Sequence, residues 1–489
     1  MKSLFTKRNV SLLVSMLVIL FFYLLPDMTW GLSHEALWAI GIFFASLIMW
    51  INVSIQRPSL ISLFMIGLLP SYGFNKMLQG SFGNSTVAFL LFTFILVYPL
   101  SQTNFVRRIT IAFITNKVAR KGPWHFVCFL FGAITFIGLF ISPSVLFVAF
   151  LPFLEDIYKV LDIKKGSKTG NMLMMGTAFC ISLSSGMTPI GHVWPTLAMS
   201  YFAGSEIGYP ISAFEYMAFG IPTGIVLLIS LILIFKFIYR PDDIKSIDTR
   251  KAISLRGSIA KADASELAII SILVLVVFLW ISPSLVKNAM PEYYALINGM
   301  TTAMPPLLGC ILMFVISFDG KPLLNFKEAT TKGVMWGSIL MTAAATLVGA
   351  TLTNKDLGIS TWLSDMMGPV ASGLSVSVLV FFFVAWAVIE TNFSSNIVTT
   401  TVVSSIMLTV LSSLPDGTIC IPAAICLIGF SAGICNMTPA GQSTINTVAI
   451  GSGWTDSKSM FVWGGVFAVV SIIVISLLGY NLGAIFMAI

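Results

Sequence analysis

A dense group of polar side chains occupies residues 390–405, E-T-N-F-S-S-N-I-V-T-T-T-V-V-S-S, inside an otherwise apolar stretch. Hydroxyl, amide and carboxyl groups in the middle of a membrane segment cannot face hydrocarbon, because no water is there to satisfy them. Their oxygens suit a small cation, and their hydrogens suit an anion. We expect the helix to break here, so that side chains and freed backbone groups line a binding site, as they do in transporters.

The composition of the 489-residue chain sets its class. Hydrophobic residues make up 57% of the chain and charged residues 10%, and the mean hydropathy is +0.95. A soluble domain has about a quarter charged residues, so we predict an all-α polytopic protein of the cell (inner) membrane. The net charge of +7 does not indicate nucleic acid, because basic residues in a membrane protein are first of all topology signals.

Apolar runs predict about eleven transmembrane helices and two interrupted segments. Residues 107–121 mix basic and apolar side chains, which indicates a helix lying flat on the membrane interface. The interrupted segments are 124–161 and 373–412. The eleven spans are expected near residues 10–25, 37–52, 59–70, 87–104, 172–199, 217–239, 265–281, 296–317, 333–352, 419–450 and 461–486.

The two interrupted segments can be full crossings or re-entrant hairpins that enter and leave on one side. The basic residues separate these possibilities. With two hairpins and a cytoplasmic N-terminus, 24 of the 27 lysines and arginines fall inside, and only Lys76, Lys287 and Lys355 fall outside. This bias is typical of a correct topology. We therefore predict one hairpin from each face and a C-terminus outside.

The two halves of the chain share a pattern. Residues 96–111 are echoed at 350–363, and each stretch precedes a hairpin. Each hairpin is followed by a span with a cluster of Gly, Ser, Thr and Pro, at 182–192 and at 431–443. An odd number of spans separates the halves, which predicts inverted repeats. Interrupted segments at matching places indicate a binding site at mid-membrane depth.

The motif T-N-F-S-S-N-I-V-T-T-T at residues 391–401 resembles the Ser-Asn-Thr hairpin signature of the divalent anion/sodium symporter family, the sodium-coupled dicarboxylate, citrate and sulfate carriers. The first hairpin, at 141–152, and G-S-G at 451–453 also match that family in register. The resemblance implies an elevator carrier, usually a homodimer, with substrate and sodium held between two hairpin tips and two unwound helices. It divides the chain into scaffold parts, 1–123 and 240–372, and transport parts, 124–239 and 373–489.

The resemblance also supplies candidate site residues. Sodium takes oxygen ligands, and the candidate cation-binding residues are Thr391, Ser394, Asn396, Gln442 and Gly191. An anion needs donors, which hydroxyls and the positive N-terminal ends of half-helices supply. The candidate substrate-binding residues are Ser142, Pro143, Ser144, His192, Ser395, Asn396, Ile397, Thr438, Pro439 and Ser443.

The chain departs from the family pattern at several of these positions. In the first hairpin, Pro143 replaces the signature asparagine, and Gly138 stands where some members carry a hydroxyl. In the second hairpin, Ile397 replaces the signature threonine. Both Thr-Pro-Pro-Asn motifs of the unwound helices are eroded, with Thr438-Pro439 as a competing register for the second. The second-half cation site is therefore better supported than the first.

Three kinds of function stay open. The first is a cation-coupled secondary carrier of small anions, such as di- or tricarboxylates, sulfate or a related organic acid, with sodium as the candidate coupling ion and no other cofactor. The second is a sodium-independent anion exchanger, and the third a non-coupled channel or receptor on the same scaffold. An enzyme is not indicated, because the sequence lacks a His/Asp/Glu cluster, a Ser-Lys pair and H-E-x-x-H.

Overall fold

The computed structural model is almost entirely helical, which confirms the predicted all-α class. It describes residues 6–54, 56–190, 192–205, 207–258, 261–286, 289–299, 301–359, 361–362, 365–366, 373–412, 414–415, 417–439, 441 and 443–487.

The first half of the chain contains eleven of the helices that we number. They are α1 (Lys7–Leu24), α2 (His34–Asn52), α3 (Gln56–Gly67), α4 (Gly73–Gly80), α5 (Ser85–Gln102), α6 (Phe105–Ile114), α7 (Pro123–Gly138), α8 (Pro143–Val160), α9 (Lys168–Met187), α10 (Val193–Ala203) and α11 (Ala213–Ile234).

The second half contains the others, together with a two-stranded ribbon. The strands are β1 (Ser317–Phe318) and β2 (Lys321–Pro322), and they pair antiparallel. The helices are α12 (Ala264–Val286), α13 (Pro291–Gly299), α14 (Met304–Val315), α15 (Phe326–Glu328), α16 (Trp336–Thr353), α17 (Val376–Thr391), α18 (Asn396–Leu411), α19 (Ile421–Ser431), α20 (Ser443–Gly451), α21 (Ser457–Val474) and α22 (Tyr480–Met487).

Five helical stretches among the described residues are long and apolar enough to cross a membrane: His34–Asn52, Ser85–Gln102, Ala213–Tyr239, Ala264–Pro283 and Ser457–Met487. The pair Phe326–Gly333 and Trp336–Leu352, which is bent by 67°, makes a sixth if it is counted as one broken span. Several shorter apolar helices, such as α7, α17, α18 and α19, are arms of hairpins or halves of broken helices. The count of eleven crossings stays a prediction.

The first hairpin, formed by α7 and α8, begins and ends at the same loop. Thr249 Oγ1 donates to the carbonyl of Arg120, just before α7, at 3.3 Å. Lys251 Nζ forms an ion pair with Asp162, just after α8. Because Thr249 and Lys251 are two residues apart, both ends of the segment lie on one face of the protein. The chain therefore turns back, as the charge distribution predicts.

The second hairpin, formed by α17 and α18, has arms that pack against each other. Each hairpin is followed by a broken helix. The first breaks between α9 and α10, where Thr188 is extended (φ −141°, ψ 152°) ahead of Pro189, a residue that disfavours helix in its predecessor. The second breaks between α19 and α20. Both predicted unwound segments are confirmed.

Two sequence predictions are wrong in their boundaries. The span expected at 296–317 is two helices, α13 and α14, and α14 begins at Met304. Pro305 and Pro306 lie in the first turn of α14, where the missing N–H of proline breaks no helical bond. The interfacial helix expected at 107–121 is α6 followed by a separate short turn, Ala119–Lys121.

Close packing ties α6 and the first broken helix to the rest of the molecule. Arg108 on α6 binds Glu266 at the start of α12 through Nε–Oε1 and Nη2–Oε2 contacts of 3.1 and 2.9 Å. The same helix packs on α7 and α8. On α16, a Cβ at Gly349 would lie 2.3 Å from the Tyr201 ring of α10, so the ring packs directly on the backbone of α16.

Candidate functional site

Serine residues at the two hairpin tips differ from other serines that begin helices. Ser142 precedes α8 and Ser395 precedes α18, and within the described chain neither side chain caps its own helix. The first-turn N–H groups are thereby left without a side-chain acceptor. By contrast, helix-capping bonds are made by Ser33, Ser167, Ser212 and Ser375.

The tip of the first hairpin rests on the first broken helix. Thr188 Oγ1 donates to the carbonyl of Leu139 at 2.7 Å. Pro143 occupies the first position of α8, where its missing N–H costs nothing. Pro143 is buried, whereas Ser142 and Ser144 are half-buried. This tip therefore presents two hydroxyls and no amide side chain.

Steric crowding explains why the residue before the first tip, Gly138, is a glycine. An ideal Cβ on Gly138 would lie 2.0 Å from Ser184 Oγ on α9, a separation that no side chain tolerates. Ser184 Oγ of the first broken helix therefore lies where a side chain at position 138 would point. Ser184 Oγ itself donates to the carbonyl of Ile181 at 2.8 Å.

His192 begins α10 and is almost completely buried, with 1% of its surface exposed. Its Nδ1 lies 3.1 Å from the carbonyl of Thr188. Because a carbonyl only accepts, Nδ1 must carry the hydrogen in this contact. The Nε2 atom makes no hydrogen bond within the part of the chain that the structure describes. The ring is thus held inside the protein at the first unwound segment.

At the second tip, two predicted cation ligands converge on one carbonyl. Thr391 Oγ1 donates to the carbonyl of Ala432 at 3.1 Å, and Asn396 Nδ2 donates to the same oxygen. Both contacts use hydrogens, and the hydroxyl oxygen of Thr391 and the amide oxygen of Asn396 are acceptors, the kind of group that a cation binds. The Ser394 amide donates to Glu390 O at 2.9 Å, which fixes the turn that carries the Ser394 carbonyl.

Asn392 is a site residue that the sequence analysis missed. Its Nδ2 donates to Val388 O and Ile434 O, both at 2.7 Å, and its Oδ1 accepts from Met437 N at 2.7 Å. Its carbonyl also accepts from Thr438 Oγ1. Asn392 therefore joins the second tip to the second unwound segment along much of its length. Its position in the sequence, between Thr391 and the Ser-Ser-Asn motif, could have indicated this role.

Two further asparagines were also missed. Asn436 Nδ2 lies 3.0 Å from Ser182 Oγ on α9 and 3.0 Å from Asn446 Oδ1 on α20. Asn446 Nδ2 in turn donates to Cys435 O at 3.0 Å and to Thr438 O at 2.7 Å. All these groups are polar and lie between helices in the interior, so they hold the unwound segment in one shape.

The other predicted residues take different positions. A Cβ on Gly441 would lie 2.6 Å from Cys435 O and 2.7 Å from Thr391 O, so carbonyl oxygens crowd this part of the second unwound segment. Thr438 and Pro439 belong to that segment, and Ser443 is the first residue of α20. Ile397 is buried in the first turn of α18. Gly191 and Gln442 lie outside the described residues.

Each hairpin contacts the broken helix of the other half. The arm α8 packs on α20, and the arm α18 packs on α10. The helix α9 contacts α10, α19 and α20. The polar groups of both halves are therefore parts of one interior assembly.

Re-entrant hairpins that pack against unwound helices define a helical membrane transporter, not an enzyme. The profile of the sodium:sulfate symporter transmembrane region matches residues 6–489, so the chain belongs to this family. The resemblance of residues 391–401 is thereby confirmed.

Known proteins share this architecture at low identity. The sodium-dependent dicarboxylate transporter SdcS of Staphylococcus saprophyticus is 22% identical over 469 residues, which cover 90% of this chain and 86% of that protein. An uncharacterized transporter of Methanocaldococcus jannaschii is 25% identical over 372 residues, covering 75% and 76% of the two chains. The crystal structure of the YdaH transporter from Alcanivorax borkumensis shares the fold, with a TM-score of 0.53, 13% identity, and coverage of 92% and 98%.

Proposed function

We propose that this protein is a sodium-coupled carrier of small dianions, with dicarboxylates as the main substrate class and sulfate as a smaller alternative. The name of the staphylococcal relative, a sodium-dependent dicarboxylate transporter, supports both the ion and the substrate class. The family name adds sulfate. In this proposal the substrate lies between the two hairpin tips and the two unwound segments.

The observation that carries the proposal is the pair of tip serines that leave their helices uncapped. Ser142 and Ser395 each stand at the N-terminus of a half-helix. Among the described residues, neither side chain accepts a hydrogen bond from the first turn of its helix. A helix N-terminus with free N–H groups attracts a carboxylate or sulfate oxygen. Two such ends provide one anchor for each charge of a dianion.

Sodium coupling is assigned to the second half. Thr391 Oγ1 and Asn396 Nδ2 share the carbonyl of Ala432, and the carbonyls of Thr391 and Cys435 crowd around Gly441. An all-oxygen set of hydroxyl, amide and carbonyl groups without a carboxylate suits a hard monovalent cation. A bound cation beside Asn396 would also favour the anion at the neighbouring Ser395.

The proposed movement is an elevator, in which residues 124–239 and 373–489 slide as a transport part against 1–123 and 240–372. Cavities at both ends of α5 support it. One, of about 130 Å³, lies beside Asn84 and Thr196 at the start of α5, and another, of about 220 Å³, lies beside Gln102 and Ser142 at its end. Each cavity lies between α5, which belongs to the scaffold part, and residues of the transport part.

The test is uptake by purified protein in liposomes. We expect labelled succinate or sulfate to accumulate with an inward sodium gradient, and to do so far less when choline replaces sodium. Ser142→Ala and Ser395→Ala should each raise KM, whereas Ser271→Ala, an exposed serine of α12, should not. Sodium-independent uptake would refute the coupling, and absence of counterflow would refute a carrier.

A sodium-independent exchanger is the second candidate, and the first hairpin favours it. Pro143 removes an amide oxygen from that tip, and Gly138 admits no side chain because of Ser184. The first half therefore offers few cation ligands. Exchange of labelled for unlabelled dianion at equal rates in sodium and choline would establish this candidate instead.

The assembly and orientation are also proposed. A homodimer follows from the family resemblance, and cross-linking in native membranes tests it. A cytoplasmic N-terminus and an external C-terminus follow from the distribution of basic residues. Cysteines introduced at exposed Lys76 and Lys327 should react with an impermeant reagent from outside and from inside, respectively.

A further inference from the structure

A cavity of about 220 Å³ opens at the end of α5, beside the tip of the first hairpin. Four lining side chains carry hydrogen-bond donors, and a fifth carries a positive charge. These residues are Tyr98, Ser101, Gln102, Ser142 and Lys332. The remaining lining residues are Phe94, Val97, Ile141, Val145 and Gly333. No carboxylate is among the described residues that line the cavity.

Lys332 brings a positively charged side chain to the cavity, whereas the polar clusters found in the sequence contain no lysine or arginine. It belongs to a turn of π-helix, Ala329–Gly333, which continues α15 and ends at a sharp bend before α16. Gly333 packs so closely on Tyr98 that a Cβ would lie 2.8 Å from the Tyr98 Cβ atom. This contact fixes the backbone that carries Lys332 against α5, next to the cavity.

The charge of Lys332 is only weakly neutralised. Its partner is Glu328, one turn away, at 3.4 Å, with side-chain exposures of 64% and 52%. Exposed ion pairs of this kind contribute little, so the ammonium remains available to an anion. The amide of Gln102 is oriented by a bond from Nε2 to Ser101 Oγ at 3.1 Å, and Ser101 Oγ donates to Tyr98 O at 2.6 Å.

We infer that this cavity is a second anion site, an antechamber that receives the carboxylate or sulfate next to the transport site. The inference rests on the proposed function. Ser142 belongs to both places, because it lines the cavity and stands at the hairpin tip. A positive charge in a concave site raises the local concentration of an anion. Lys332 therefore attracts the anion on one side of the membrane, which the charge distribution predicts to be the cytoplasmic side.

The experiment compares three variants in right-side-out and inside-out membrane vesicles, with succinate and with sulfate as probes. Lys332→Gln should raise KM roughly twofold to fivefold in one vesicle orientation and leave it unchanged in the other. Glu328→Gln, which frees Lys332, should lower KM in that same orientation. Lys327→Gln, on the same segment but away from the cavity, is the matched control.

The effect of Lys332 should fade at high salt, because a partly exposed charge is screened. Lys332→Arg should keep most of the wild-type KM, which separates the charge from the fold. Equal KM changes for Lys332→Gln in both orientations, or an unchanged KM together with wild-type melting behaviour, would overturn the inference of a second anion site. Wild-type protein that moves neither probe would instead refute the proposed function, so the two failures are distinct.

Discussion

The amide nitrogen of Asn436 lies 3.0 Å from the hydroxyl oxygen of Ser182, and this contact joins the two broken helices. Asn436 stands in the second unwound segment, and Ser182 is part of α9 in the first half. The same amide also reaches Asn446 Oδ1 at 3.0 Å. The two halves of the interior assembly are thus connected by a side chain, in addition to the packing of helices.

We predict that Asn436→Ala lowers the free energy of unfolding by about 1–3 kcal/mol, the usual cost of leaving buried polar partners unsatisfied. Thermal melting in detergent measures this effect. Asn481→Ala is the control, since Asn481 makes one exposed bond to Leu477 O. Equal melting temperatures for Asn436→Ala and wild type would contradict a structural link at this position.

The second prediction separates two neighbouring asparagines. Asn396→Ala should raise the sodium concentration for half-maximal uptake by roughly tenfold, about 1.4 kcal/mol for one lost ligand. Asn392→Ala should reduce the melting temperature and the maximal rate together, because Asn392 holds the unwound segment through Ile434 and Met437. Sodium titrations of uptake, paired with melting curves, measure both. An unchanged sodium requirement in Asn396→Ala would refute the cation assignment.

The third prediction concerns the close approach of Gly138 and Ser184. Gly138→Ala places a methyl group where Ser184 Oγ now lies, 2.0 Å from the ideal Cβ. Overpacking of this kind costs about 1–3 kcal/mol, so the melting temperature should fall. Adding Ser184→Ala to Gly138→Ala should recover part of the loss. If the double variant melts no higher than Gly138→Ala, the contact is not the cause.

The fourth prediction is a pH effect at the base of the first hairpin. Hydrogen bonding to Lys251 lowers the pKa of Asp162 below its ordinary value. The ion pair is therefore complete above the usual carboxyl range and is lost as the pH falls through this lowered pKa. Hydrogen-exchange protection factors at residues 249–256, which are corrected for the intrinsic pH dependence of exchange, should fall on acidification, and Asp162→Asn should show the lower protection already at neutral pH.

The sequence predicted the hairpins and the broken helices because polar groups in apolar runs have few physical solutions. A chain with so many polar side chains at residues 390–405 has to turn back or unwind inside the membrane. The distribution of basic residues indicated that it turns back. The roles of Asn392, Asn436 and Asn446 were missed, because most of their partners belong to other segments, which come together only in the folded chain. Lys332 was missed for a simpler reason, since it is far from Ser142 in the chain.

The boundaries of the predicted spans failed where local chemistry overrides hydropathy. Residues 296–317 are apolar enough for one span, yet Pro305 and Pro306 make α14 start at Met304. The sequence showed that Gly138 lacks a hydroxyl, but it did not show that Ser184 of α9 lies beside it. A pattern of residue types does not reveal which helix supplies a group.

The ring of Tyr201 packs on Gly349, and this contact sets the position of α10 along α16. An aromatic ring fits against a helix only where the side chain beneath it is very small. Ala345, one turn earlier on α16 and fully buried, is the nearest comparable seat. Four helical residues rise about 6 Å, so in the proposed elevator α10 would move along α16 in a step of this length, and a bulky residue at position 345 should oppose that step.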